Sequence, residues 1–397
     1  MTLRLESRPS ATEPAGQPPG GAIGFAARWC AGTGRMPGRP ATMAFGTTDT
    51  AHVLIGERRR LSLRRYAGED STAAALWERL ARFFDVPGFV AGYLGFDAVW
   101  PDDLARVGAA SPALHLFEPE AVLRIDAGPR GPALCTVLQD GPVLAGLMPG
   151  DVPAGEVLPL RPLDRDAHTY RRAVNRVLDT IRKGQAQRLT VARRVDLPGD
   201  IDLLASFAVP PAEDAAGLGR SYYLRTDGLE LAGHSPELLG AGDERQFACY
   251  KLSGTGPRAT AAGEDAALRA ALLADPKILE EHALSIAATR AARAALGAVE
   301  ARTMKVLERR GLRHLLTPLA VECRPGTRLA DILRALLPAG AQPRDAGLRL
   351  LADLEPASRG AWYGLIGLRR PDGGFDFSQA LRPLLRADPG VHPSVRA

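Results

Sequence analysis

Ser221-Tyr-Tyr-Leu-Arg-Thr-Asp-Gly-Leu-Glu-Leu-Ala232 is the stretch that decides the fold class of this chain. Two β-prone runs, residues 221–225 and 229–232, flank Asp227-Gly228, a dipeptide suited to a tight hairpin turn. A second hairpin is predicted near the end, where residues 361–369 and 376–382 flank Asp372-Gly373-Gly374. Between the hairpins the period changes. Asp275 suits an N-cap, Pro276 the first helical position and Gly297 a C-cap, so a long alanine-rich helix is predicted between them. Residues 329–337 and 346–354 read as two further helices. Tyr170, Val174, Val177, Leu178 and Ile181 share one face of another, which Gly184 ends; residues 188–197 then read as a strand. Upstream, residues 51–57, 90–96, 114–118 and 121–126 read as strands, and residues 72–84 as a helix with Leu76, Leu80, Phe83 and Phe84 at helical spacing. Many strands and several helices without βαβ alternation predict an α+β fold.

Composition sets the class of protein. Of 397 residues, 46% are hydrophobic and 24% charged. That is enough for a sizeable core. Fifty Lys+Arg against 45 Asp+Glu leave a net charge of +5. This excess is too mild at such a length to indicate nucleic acid, but it suits a small anionic substrate. No apolar run approaches the roughly 20 residues of a membrane span, and the opening lacks the apolar stretch of a signal peptide, so no membrane partner and a cytoplasmic location are expected. Cys30, Cys135, Cys249 and Cys323 lie far apart with no C-x-x-C pair, and read as buried apolar fillers. Residues 1–21 read as a disordered tail, and residues 143–162 as a connector.

Five groups of residues are candidates for chemistry. In Lys277-Ile-Leu-Glu-Glu-His282, Glu281 and His282 diverge by about 100° on a helix and cannot chelate one ion together. Glu281 alone suits Mg²⁺, or pairs with Lys277 on the surface. Leu252-Ser-Gly-Thr-Gly-Pro-Arg258 lets backbone N–H groups approach an anion, yet lacks the ending of a Walker A loop and equally describes a plain turn. In His234-Ser-Pro-Glu237 a partly buried carboxyl would make a general acid, where an exposed one is ordinary surface. Arg359 and Arg382 are potential carboxylate clamps in an arginine-rich chain whose other arginines are mostly solvated. His314 is either a satisfied core histidine or an active-site group.

The order of these motifs is more specific than any one of them. Tyr170, Gly184, Arg193, Ser235-Pro-Glu237, Leu252-Ser-Gly-Thr255, Glu281-His282, His314-Leu315, Leu354-Glu355-Pro356, Arg359-Gly360, Gly364 and Ala380-Leu381-Arg382 together resemble the chorismate-utilising enzymes. That family includes anthranilate synthase component I, aminodeoxychorismate synthase component I, isochorismate synthase and salicylate synthase. The likeness spans about residues 165–385; Gly92-Tyr-Leu-Gly-Phe-Asp97 resembles the family's N-terminal region more loosely. The resemblance implies one large fold of two stacked antiparallel sheets flanked by helices, with residues 22–162 as an N-terminal subdomain, 163–385 as the chorismate-binding region and 386–397 as a divergent tail. It implies Mg²⁺-dependent chemistry on chorismate, a dicarboxylate. By position, Glu237 matches the acid that protonates the departing C4 hydroxyl, and Glu281 a metal ligand. Gly254, Thr255, Trp362 and Arg382 match substrate-binding residues, His314 an active-site histidine, and Arg188 the nucleophile-activating position.

Departures from the family pattern narrow the branch. The Arg-Asn-Asp-Leu run of anthranilate-type members is absent after the Glu281-His282 helix, and Asp275-Pro-Lys and Arg309-Arg-Gly-Leu-Arg-His-Leu315 look more like isochorismate and salicylate synthases. Leu354-Glu-Pro-x-x-Arg-Gly360 looks more like the aminating branch, which works with ammonia or a glutaminase partner. Arg188 stands where water-adding members place lysine, and a guanidinium is a poor general base. Past Arg382 the chain reads Pro383-Leu-Leu-Arg-Ala-Asp-Pro-Gly-Val-His-Pro-Ser-Val-Arg-Ala397, without the pair of metal-binding glutamates expected there, and Ile278 stands where another would sit. Three expectations follow: an isochorismate/salicylate-type enzyme, an aminating enzyme, or a homologue that binds ligand without turnover.

Overall fold

The computed structural model describes residues 2–4, 21–63, 72–104, 112–128, 133–152, 167–193, 195, 197, 201–209, 218–309, 311–338, 340–355 and 358–387. The hairpin forms as predicted: Arg220–Thr226 and Leu229–Ser235 pair antiparallel, with Thr226 opposite Leu229 and Gly228 at a φ of +73°. It sits inside an eight-stranded sheet whose order is Thr2–Arg4, Leu134–Gln139, Ala121–Asp126, Thr50–Ile55, Thr42–Gly46, Arg220–Thr226, Leu229–Ser235 and Leu384–Ala387. A second sheet runs Gly297–Ala301, Leu312–Cys323, Gln246–Pro257, Leu238–Gly242, Phe375–Gln379, Leu365–Arg369, Val90–Leu94, Leu114–Glu118 and Arg59–Leu63, with Lys305–Glu308 also paired to Leu312–Cys323.

The two sheets stack, and strand alternation shows how. Ala91, Tyr93, Ile366 and Leu368 of the second sheet meet Met43, Phe45, Tyr222, Leu224 and Leu231 of the first in one buried layer. Their neighbours Val90, Leu94 and Leu365 point the other way, into a core shared with the helices Ala73–Phe84, Leu329–Leu336 and Arg344–Leu354. The outer face of the first sheet is covered by the helices Gly21–Gly34 and Leu203–Ala208. This is the α+β arrangement of two stacked antiparallel sheets flanked by helices. Cys30, Cys135 and Cys249 are buried within it as apolar fillers, whereas Cys323 is only half-buried at the end of its strand.

Each sheet takes strands from both halves of the chain. Thr42–Gly46 pairs with Arg220–Thr226, and Val90–Leu94 with Leu365–Arg369. The division at residues 162/163 is therefore no boundary in the packing. Residues 2–4 of the expected disordered tail form an edge strand and Gly21 begins a helix, while residues 1 and 5–20 lie outside the described residues. Arg386 and Ala387, from the expected divergent tail, complete the Leu384–Ala387 strand; residues 388–397 and half of the connector, 153–162, also lie outside.

Several elements differ from expectation. The Gly21–Gly34 helix was not predicted, because Ala22, Ile23, Gly24, Trp29 and Gly32, which point to different sides of it, are all buried and leave no polar stripe. Among the described residues of the strand expected over 188–197, only Arg188–Leu189 form one, paired with Ala341–Gln342. Beyond it, the N–H of Thr190 goes to the Gly340 carbonyl and that of Ala192 to the Glu355 carboxylate, which takes the chain off the ladder. The long helix ends at Arg293, and Gly297 opens the next strand instead of capping it. Residues 361–364 belong to a turn preceding Leu365–Arg369, where Trp362 N–H donates to the Arg359 carbonyl and Gly364 N–H to that of Ala361.

Candidate active site

The helix Pro276–Arg293 begins at Asp275, an N-cap residue. Its Oδ1 accepts from the N–H groups of Lys277 and Ile278 at 2.9 and 3.2 Å. The cap fixes which face lies on the sheet, and His282, Ser285 and Arg293 are buried there. His282 ties the helix to two strands: its Nδ1 lies 2.6 Å from Ser253 Oγ and its Nε2 2.8 Å from Thr317 Oγ1. Burial, with the positive charge of Lys251 nearby, holds its pKa below the ordinary histidine value. An imidazole satisfied at both nitrogens acts here as a strut.

Glu237 lies in the short link between Leu229–Ser235 and Leu238–Gly242. Its N–H donates to Ser235 Oγ at 3.2 Å and its carbonyl accepts from Gln379 N–H at 3.0 Å, so the backbone is fixed on both sides. The carboxylate pairs with Lys251, Oε1 to Nζ at 2.6 Å, with the side chains only 12% and 16% exposed. Arg293 is buried close by, beside the Cys249 thiol and within reach of the Glu237 charge.

Two residues along the strand from Lys251, the ladder bulges. Ser253 lies opposite Leu315 and Thr255 opposite His314, which leaves Gly254 as the extra residue of a β-bulge. Its φ is +75°. A Cβ there would stand 2.6 Å from the Ile278 methyl Cγ2 of the capped helix. Glycine is therefore required both by the backbone and by the space. Thr255 Oγ1 and His314 Nδ1 are 2.9 Å apart. Burial lowers the pKa of His314, and the charges of Arg309 and Arg382 lower it further.

The structure thus brings Gly254, Thr255 and His314 into contact, with Arg382 close enough for its charge to act on His314. Arg382 is exposed, at a φ of +53°. Alternation places Lys251, Ser253 and Thr317 on the helix-covered face of the strand pair and Thr255 with His314 on the other. Glu281 is exposed beside His282 on the helix. Arg188, also exposed, reaches to 3.5 Å from Ser285 Oγ. That serine lies one helical turn beyond Glu281. Trp362 precedes Tyr363, whose N–H donates to the Ala380 carbonyl at 2.8 Å. Trp362 lines an open cleft of about 630 Å³ with Ala167, Tyr170, Arg171, Val191 and Arg193, and its ring lies 5.1 Å from Arg359 Cζ.

Arg359 itself is engaged within the protein. It pairs with Glu355 through Nη2–Oε1 at 2.6 Å and Nε–Oε2 at 2.7 Å, both side chains buried. Its Cζ also lies 4.0 Å over the Phe96 ring. This bidentate pair is a structural clamp between the turn and the end of the Arg344–Leu354 helix. Sequence reasoning also passed over Lys251. Its signal was composition: only four of the 50 Lys+Arg residues are lysine, and one of them sits inside a strand shortly before Gly254-Thr255.

Among the described residues no three His, Cys, Asp or Glu side chains converge on a point where they would hold a metal ion. One exposed carboxylate, Glu281, does not by itself make a magnesium site. Nor, among the described residues, is any helix long and apolar enough to cross a membrane.

The family model for chorismate binding enzymes matches residues 38–393, almost the whole chain. The chain belongs to the chorismate binding enzymes. Among curated relatives, anthranilate synthase component 1 of Pseudomonas putida is 28% identical over 236 residues, covering 56% of this chain and 46% of that protein. The Thermus thermophilus protein of the same name is 29% identical over 364 residues, 81% of this chain and 76% of the relative. The chain spans about half the length of the first of these relatives. Among solved structures, the menaquinone-specific isochorismate synthase of Escherichia coli superposes with a TM-score of 0.68 at 16% identity, over 98% of this chain and 85% of that one. Anthranilate synthase component I of Streptococcus pneumoniae gives 0.67 at 19% identity, over 85% and 84%. These superpositions agree with the two-sheet family fold and, at such identities, carry nothing finer.

Proposed function

We propose that the protein acts on chorismate in the manner of the isochorismate and salicylate synthases, with loss of the C4 hydroxyl assisted by Glu237. The observation that carries this reading is the Glu237–Lys251 pair, a shielded carboxylate on a backbone fixed from two sides. A hydroxyl leaves with a proton. The 2.6 Å contact between Nζ and Oε1 holds one beside the carboxylate that the motif order matches to the family's acid. The dianionic substrate requires positive groups, and Lys251 meets Glu237 directly. Thr255 and His314 lie on the face of the strand pair away from Lys251, so they and Arg382 are given no part in the proton transfer, and Trp362 lines a separate cleft with Tyr170 and Arg193. Arg188 holds its proton too firmly to activate water, so its part would be electrostatic. Glu281 is the one family-matched carboxylate for Mg²⁺, which would offset substrate charge; the lone donor does not complete a site, and no step here passes through the ion.

The test is product analysis after incubating the full chain with chorismate. Isochorismate or salicylate, formed without ammonium, supports the proposal; unchanged chorismate under every condition contradicts it. A second reading, amination of the ring with ammonia or a glutaminase partner, is favoured by the names of the sequence relatives, anthranilate synthase component 1. Product that forms only when ammonium is supplied would select it.

A further inference from the structure

Glu237 is surrounded by more positive charge than it can neutralise. Lys251 Nζ lies 2.6 Å from its Oε1, and Arg293 is buried nearby with its Nε lacking any hydrogen-bond partner among the described residues. Arg293 spends other donors on the carbonyls of Thr289 and Leu239, at 3.2 and 3.5 Å, and the Cys249 thiol lies beside it. Glu237 pairs with Lys251 alone, and Arg293, held on the Leu239 carbonyl two residues on, adds a buried positive charge that is costly unless a further anion joins it. Lys251 is held in place by its surroundings. The flanking Ser253 and the opposite Thr317 are both tied to His282, and Lys251 itself projects on that same face. The family's scheme instead brings positive charge to the substrate as a metal ion on several carboxylates, a donor set that the described residues do not gather.

We propose that Lys251 takes over that role: its ammonium, positioned by Glu237, supplies the charge that meets a carboxylate-bearing ring substrate, so that this chain binds its substrate without a divalent cation. The inference rests on the reading of chorismate as the ligand. Lysine suits the task because its ammonium is a compact point charge with three donors, able to meet an arriving carboxylate while still holding a proton against Glu237.

Equilibrium dialysis of the full chain against chorismate, in EDTA and in excess Mg²⁺, tests it. The wild-type affinity should be the same in both. Lys251→Met should weaken binding by about 30-fold or more, as expected for removing one partner of a shielded charge pair, and Lys251→Arg should restore most of the loss. Because Lys251→Met strands the Glu237 carboxylate and can cost stability, the same comparison is made in a Glu237→Gln background. There the freed ammonium should bind chorismate at least as tightly as wild type, and adding Lys251→Met should abolish the gain while thermal unfolding stays unchanged. Binding that requires Mg²⁺, or that is indifferent to Lys251 both with Glu237 intact and in the Glu237→Gln background, overturns the proposal while leaving chorismate as the ligand. No binding under any condition overturns the functional reading beneath it.

Discussion

At the scale of single residues, three histidines report how the fold treats charge. His52, His282 and His314 all have pKa values lowered, first by burial and then by nearby cations. For His52 the value falls to about 4, with Arg124 on the adjacent strand and Arg370 adding to the burial effect. The folded protein therefore prefers the neutral ring more strongly than the unfolded chain does. Stability from His52 is complete above the unfolded value near 6.5 and is lost as the pH falls from there toward about 4, at most roughly 3 kcal/mol. His52→Gln should flatten urea midpoints measured across that range; an unchanged slope would show that the ring is already accessible to protons. His282 is the mechanical counterpart. His282→Ala strands the Ser253 and Thr317 hydroxyls and should cost about 1–3 kcal/mol in urea unfolding. Residues of this kind were unevenly legible in the sequence. Glu237, Gly254, Thr255, Glu281 and His314 stand in recognisable order along the chain, but Lys251 has no motif of its own, and its meaning comes only from a carboxylate 14 residues away.

At the scale of elements, the bulge and the capped helix form one unit. Gly254 makes room for Ile278, and Asp275 sets the helix register that puts Ile278 there and His282 one turn later over the strands. Gly254→Ala should cost about 1–3 kcal/mol, from the positive φ and the clash together. In an Ile278→Ala background the clash disappears and only the backbone part, about 1 kcal/mol, should remain. A double-mutant cycle on urea midpoints measures this coupling, and strict additivity would mean that the helix simply moves aside. Asp275→Ala should remove about 1 kcal/mol of cap stability and speed amide exchange in the first helical turn. Helices with a polar stripe, such as Ala73–Phe84, and hairpins with a turn dipeptide were readable beforehand. Gly21–Gly34 was not, because a helix buried all round carries no period, and the strand past Leu189 was lost to tertiary hydrogen bonds that no local pattern encodes.

At the scale of the whole molecule, the site depends on both halves of the chain. Leu238–Gly242, which follows Glu237, pairs with Phe375–Gln379; that strand pairs with Leu365–Arg369, and it in turn with Val90–Leu94. Tyr222 reaches from the other sheet to the Leu381 carbonyl at 2.6 Å, beside Arg382. A fragment of residues 163–397 should therefore lack cooperative unfolding by circular dichroism, whereas the full chain should show a single transition. A fragment that melts as sharply as the whole would mean that the N-terminal strands are dispensable. The family fold was legible from motif order, while the interweaving of the halves was not, since pairing between distant strands leaves no mark in either one. In the proposed reaction, loss of the C4 hydroxyl rests on Glu237. Single-turnover incubation of chorismate with wild type and with Glu237→Gln, followed by product separation, tests this most directly: product is expected from the wild type and none from the variant, and equal conversion by the two would contradict the assignment of the acid.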